Sequence, residues 1–227
     1  MPWDFRPRAI VFDNDGVLLN TERYCAESKR IVLERHGVAV DDALMARLKG
    51  RHYSLAGEIL AEALGRPGED AACSAEARAE QIRLYHSAGI APLTGSLGLV
   101  AACAARLPVA VASSSPLPAV RHVLEQHGFL DHIRPAHVVC CDSPGGPHPP
   151  KPDPDLYLEA CRTLDVDPEH AAAVEDSASG LLAARAAGMY VIGVGPAPTP
   201  ELTALADEWV LDLADPGLRG WIEKATP

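Results

Sequence analysis

The chain has no apolar run approaching the ~20 residues that a helix needs to cross a bilayer. Its opening Met-Pro-Trp-Asp-Phe-Arg lacks the apolar core of a secretory signal. Both absences lead to the expectation of a cytoplasmic protein with no membrane partner. Basic residues are in deficit: Lys and Arg number 20 against 31 Asp and Glu, for a net charge of -11 and a pI near 5.2. A nucleic-acid surface wants a basic stripe, so that class of partner is not expected. The six cysteines (25, 73, 103, 140, 141 and 161) follow no disulfide framework. Cys140 and Cys141 with His148 match no zinc spacing, and free thiols are the expectation. Internal repeats and low-complexity tracts are also missing. What remains is 227 residues, 48% hydrophobic and 22% charged, enough for a buried core in one domain or one domain with an insert.

The most informative stretch runs from Ala9 to Leu18. Four apolar residues, Ala9-Ile10-Val11-Phe12, lead into Asp13, Asn14, Asp15 and Gly16. The short apolar run reads as a buried strand. Residues two apart on a strand share a face, so Asp13 and Asp15 would emerge together at its carboxyl end, where open α/β sheets place their ligands. Two carboxylates that close either bind a cation or divide into a charged and a protonated partner. An Asp-Gly hairpin turn and a simple helix cap compete with this reading. A calcium loop does not, because its twelfth position, counted from Asp13, is Tyr24 and not glutamate.

Further along, helical periodicity covers Thr21 to His36, about Asp42 to Leu48, Ser54 to Leu64 and about Ser74 to Ser87. No strand interrupts residues 19–90, which read as an all-helical insert. From Pro92 the pattern becomes alternating: helix 96–106, strand 108–112, helix 117–127, strand 138–140, helix 156–164, strand 172–174, a helix ending at Ala187, strand 190–194 and strand 209–211. Such alternation implies a doubly wound parallel sheet with helices on both faces, formed by residues 1–18 and 91–227. Asp13, Ser113, Lys151, Glu175 and Asp176 then all lie at the carboxyl side of strands and converge on one crevice. Each also has a plain reading: Ser113 to Ser115 as a cap for the helix after Pro116, Lys151 as a solvated loop lysine, Asp176 and Ser177 as an acidic N-cap.

These motifs resemble those of the haloacid dehalogenase superfamily. Phe-Asp-Asn-Asp-Gly-Val-Leu is similar to its first motif, Val-Ala-Ser-Ser-Ser to its second and Lys151-Pro-Asp-Pro-Asp to its third. Val-Glu-Asp-Ser-Ala-Ser-Gly is similar to its fourth. The helical insert resembles the cap of the subfamily that holds phosphoglycolate phosphatase and β-phosphoglucomutase. The resemblance implies an α/β Rossmann-like core, Mg²⁺ and phosphoryl transfer from a small phosphorylated metabolite. Asp13 would be the nucleophile and Asp15 the general acid and base. Asp13, the Asp15 carbonyl and Asp176 would hold the metal with Glu175 at or beside it, Ser113 and the Ser114 amide would hold phosphoryl oxygens, and Lys151 would offset charge on nucleophile and phosphate. Arg51, in Leu48-Lys49-Gly50-Arg51, would reach the substrate from the cap, or else be a surface arginine. Asp15 argues against a true dehalogenase, which needs no acid for a halide. Two departures stand out: Asn14 replaces a usually apolar residue, and Cys25 stands where the mutase has a cap histidine, which lowers the mutase reading. A catalytically idle binding protein is the third possibility. The state is expected to be monomer or homodimer, with hinges near Val17 to Asn20 and at Gly89 and Gly95.

Overall fold

The computed structural model describes residues 3–48 and 53–225. From β1 (Ala9–Phe12) the chain passes through α1 (Glu22–Arg35), α2 (Asp42–Leu48), α3 (Tyr53–Ala63) and α4 (Asp70–Ser87). It then alternates: α5 (Ser96–Ala104), β2 (Val109–Ser113), α6 (Leu117–Gln126), β3 (Val138–Cys140), α7 (Asp155–Leu164), β4 (Ala171–Glu175), α8 (Ala178–Ala186), β5 (Tyr190–Val194), α9 (Pro200–Thr203), β6 (Glu208–Val210) and α10 (Pro216–Glu223). Two compact units result, one from residues up to Asn20 and from Ala91 onward, the other from Thr21 to Ile90. Among the described residues no helix is long and apolar enough to cross a membrane.

The first unit is a parallel sheet in the order β3-β2-β1-β4-β5-β6. All of β1, β2 and β4 is buried, as a strand covered on both faces must be. The face toward α7 and α8 is built from small residues: Ala9, Val11, Ala110, Ala112, Ala171 and Ala173. Their short side chains let Leu156, Tyr157 and Leu181 come close to the sheet. Strand order reverses between β1 and β4, which pair with Phe12 opposite Val174. Open α/β sheets bind ligands at the crevice outside such a switch point.

The two crossings out of this unit are tied to each other. Asn20 N–H donates to the Ala91 carbonyl (3.0 Å) and Leu93 N–H to the Leu18 carbonyl (2.9 Å). Gly95, expected as a hinge, is also a point of close packing. Its φ is +81°, and a Cβ there would collide with the backbone of Leu213 and Ala214. Close packing at the start of α5 requires the glycine.

The helical unit has its own core, including Val32, Leu33, Leu48, Leu60, Cys73 and Ala77. Its fourth helix begins at Asp70, one turn ahead of the Ser74 expected from periodicity. Asp70-Ala71-Ala72 extends it, because alanine propagates a helix well and an acidic residue suits its first turn. Thr21 takes the N-cap position of α1, although its side chain makes no capping hydrogen bond. The start of α6 is likewise not capped by the serine run. Asp142, from the loop after β3, accepts the Leu117 N–H at 2.8 Å.

Candidate active site

Asp13 follows β1 directly, and its backbone N–H continues the ladder to the Val174 carbonyl at 3.0 Å. The chain then turns sharply, with the Asn14 carbonyl accepting from Leu18 and Leu19 N–H, both at 3.1 Å. Gly16 sits in this turn at φ +86°, and a Cβ on it would strike the Asp176 carboxylate. The glycine thus serves both the turn and the approach of the fourth motif.

Lys151 is brought to Asp13 by the loop before α7. Its ammonium donates to Asp13 Oδ1 at 2.5 Å and to Glu175 Oε1 at 2.5 Å, and all three side chains are buried. The lysine is no solvated loop residue. Ser114 Oγ fixes this loop by accepting the Lys151 N–H at 3.2 Å. Ser113, the last residue of β2, donates its hydroxyl proton to Asp15 Oδ2 at 2.8 Å and accepts from Ser115 N–H at 3.0 Å. Its hydroxyl thus holds Asp15 in this arrangement.

Glu175 is fully enclosed at the end of β4. One oxygen accepts from Lys151 and from the Tyr157 hydroxyl (2.7 Å). The other accepts from Asp176 N–H (3.1 Å), Ser177 N–H (3.3 Å) and the Ser177 hydroxyl (3.2 Å). Ser177 also caps α8 by accepting the Gly180 N–H at 3.1 Å. Gly180 lies inside that helix because a Cβ would overlap the Glu175 carboxylate. Gly→Ala inside a helix ordinarily stabilises. At Gly180 we expect the opposite sign, a loss of about 1–3 kcal/mol from overpacking. Urea unfolding of Gly180→Ala checks it, and a gain in stability would contradict the contact.

Asp13, Glu175 and Asp176 each offer an oxygen, all within 4.8 Å of one another, and among the described residues they form a group able to hold a cation. Two of them, Asp13 and Glu175, also flank the Lys151 ammonium. Burial is the strongest influence on Asp13 and lifts its carboxyl well above the usual range. Lys151 opposes that shift, while Glu175, Asp15 and Asp176 add to it. Burial also disfavours charge on Lys151, but Asp13 and Glu175 outweigh it and hold the ammonium well above the usual lysine range. The site thus gathers three carboxylates around one lysine, and hard oxygen donors of this kind suit Mg²⁺ or Ca²⁺. A cleft of about 360 Å³ opens beside Gly16 and Asp176, walled by Thr94, Pro196, Trp209 and Leu211.

Tyr157 is the participant that sequence reasoning missed. It lies on the buried stripe of α7 with Leu156, Ala160, Cys161 and Leu164. That stripe announces burial but not where a hydroxyl goes. The available signal is that a buried tyrosine usually finds a partner for its O–H. Arg51 lies outside the described residues.

A switch-point crevice carrying a buried carboxylate, an ammonium and an acid cluster able to hold a cation is the architecture of an α/β enzyme. A family model described as haloacid dehalogenase-like hydrolase matches residues 7–188, and the chain belongs to that family. Validoxylamine A 7'-phosphate phosphatase of Streptomyces hygroscopicus subsp. limoneus is 29% identical over 210 residues, covering 92% of this chain and 95% of that one. (DL)-glycerol-3-phosphatase 2 of Arabidopsis thaliana is 30% identical over 218 residues, covering 91% and 87%. Among solved structures, CbbY from Rhodobacter sphaeroides in complex with phosphate is similar with a TM-score of 0.72 and 27% identity, over 93% of this chain and 96% of that one.

Proposed function

We propose that the protein is a Mg²⁺-dependent phosphatase that hydrolyses a small phosphorylated metabolite through an aspartyl-phosphate on Asp13. The observation that carries this reading is the pairing of buried Asp13 with Lys151, with Asp15 two residues on and held by Ser113. Asp13 attacks phosphorus, forming an O–P bond as the bond to the leaving oxygen breaks. Asp15 gives its proton to that departing alkoxide and then takes one from the water that releases phosphate. Ser113 aims the Asp15 carboxyl, and Lys151 offsets charge on nucleophile and phosphoryl group. Asp13, the Asp15 carbonyl and Asp176 would hold Mg²⁺. Glu175, already accepting on both oxygens, anchors Lys151 and would lie at or beside the metal. When bound, Mg²⁺ supplies positive charge that lets a carboxylate meet a phosphate dianion.

The helical unit is assigned the part of a cap that selects substrate, with Arg51 as the contact to test. Cys25 supports hydrolysis over mutase chemistry: it is engaged with Gln81 (3.0 Å) and Tyr85 (3.4 Å) inside that unit and supplies no imidazole.

Phosphate release from a panel of sugar phosphates, polyol phosphates and phosphoglycolate tests the reading. We expect turnover with Mg²⁺, loss of at least about 100-fold after chelation, and recovery on adding the metal back. Release that is indifferent to chelation would refute the metal assignment.

A further inference from the structure

Proton bookkeeping around Lys151 gives Tyr157 a role. An ammonium has three N–H bonds spread tetrahedrally, and here three acceptors lie around Nζ: Asp13 Oδ1 at 2.5 Å, Glu175 Oε1 at 2.5 Å and Tyr157 Oη at 3.3 Å. Tyr157 Oη is itself 2.7 Å from Glu175 Oε1. Sides of 2.5, 2.7 and 3.3 Å close a triangle with about 50° at Nζ, half the spread between two N–H bonds. Glu175 and Tyr157 therefore share one N–H between them. Asp13 takes the second, and the third is left over.

The phenol has a single proton, and Glu175 Oε1 receives it, so the oxygen turned toward Nζ is an acceptor. The ring adds to the enclosure, with Nζ 4.8 Å from its centroid. Tyr157 is completely buried and its backbone belongs to α7, so this wall is rigid.

We propose that Tyr157 is a positioning residue: its hydroxyl, pinned to Glu175, closes the α7 side of Lys151 and directs the remaining N–H toward an oxygen of the phosphoryl group whose phosphorus Asp13 attacks. The inference rests on the phosphoryl-transfer reading of the site. Without the hydroxyl, Lys151 keeps its charge and both carboxylates but can pivot about Glu175. Ground-state attraction for phosphate would survive, while the aligned hydrogen bond in the transition state would be lost.

The test compares wild type, Tyr157→Phe and Lys151→Met on 4-nitrophenyl phosphate with saturating Mg²⁺. Its good leaving group makes little demand on Asp15, which isolates the nucleophile and lysine. Tyr157→Phe should lower kcat about 10-fold or more with KM within about twofold, and circular dichroism and thermal unfolding should show a folded protein. Wild-type kcat per folded molecule, with only lower stability, would overturn the inference, because a packing role alone predicts that result. Lys151→Met separates the two levels of argument. If it is inactive while Tyr157→Phe is fully active, only the role of Tyr157 falls. If Lys151→Met turns over normally, the reading of the site falls and takes this inference with it.

Discussion

Asp13→Asn is expected to abolish turnover, lowering kcat by about 10⁴-fold or more, while leaving the protein folded. The amide has the carboxylate's shape but cannot attack phosphorus, so no aspartyl-phosphate forms. The fold should tolerate it for a reason visible in the site. Burial already disfavours charge on Asp13, and Asp15, Glu175 and Asp176 disfavour it further. Removing that charge relieves repulsion as well as losing the pairing with Lys151, and the asparagine oxygen can still accept from Nζ. Kinetics on the best panel substrate, with urea unfolding alongside, checks both halves. Retained activity would show that Asp13 is not the nucleophile and would overturn the mechanism.

Lys151→Met should harm both activity and stability. Methionine keeps length and removes charge, leaving Asp13 and Glu175 buried beside each other with no ammonium between them. Breaking a buried ion pair from one side costs about 3–5 kcal/mol, because the stranded charge has lost its water as well as its partner. We expect a loss of that size in metal-free buffer. Part of it should return with Mg²⁺, since a cation in the acid cluster supplies the missing positive charge. Turnover should fall by about 100-fold or more. Urea titrations with and without Mg²⁺ measure the first effect. A loss below about 1 kcal/mol would show that the lysine and the two carboxylates do not support one another as their distances imply.

These two expectations differ in how far they could be read from the chain alone. Asp13 and Asp15 were legible because a period of two on a short apolar strand places them on one face at its end. From its own residues Lys151 was legible as a loop residue on the right side of the sheet, and the family resemblance added its place at the phosphoryl group. Its burial between Asp13 and Glu175 depends on a contact spanning 138 positions, which no local pattern encodes. Glu175 shows the same limit. Sequence placed it at or beside a metal, whereas the fold surrounds both of its oxygens with donors from Lys151, Tyr157, Asp176 and Ser177. The serine run is instructive in another way. Its position after a strand suggested a cap for α6, but Asp142 arrived from the neighbouring strand's loop and left Ser113 to bind Asp15.

The sequence by itself determined the α/β class, the helical insert and the ends of most elements. Those features follow from periodicity, β-branched runs and glycine stops, all of which act over a few residues. The four motifs also marked the residues that meet at the crevice. Tertiary structure decided which hydrogen-bond partner each of those residues meets. It set Tyr157 against Glu175, gave Gly16 and Gly180 the task of making room for carboxylates, and made Gly95 a packing contact. Hydrogen bonding and close approach are set by atoms distant in the chain, so only the folded arrangement of β1, β2, β4 and α7 could assign them.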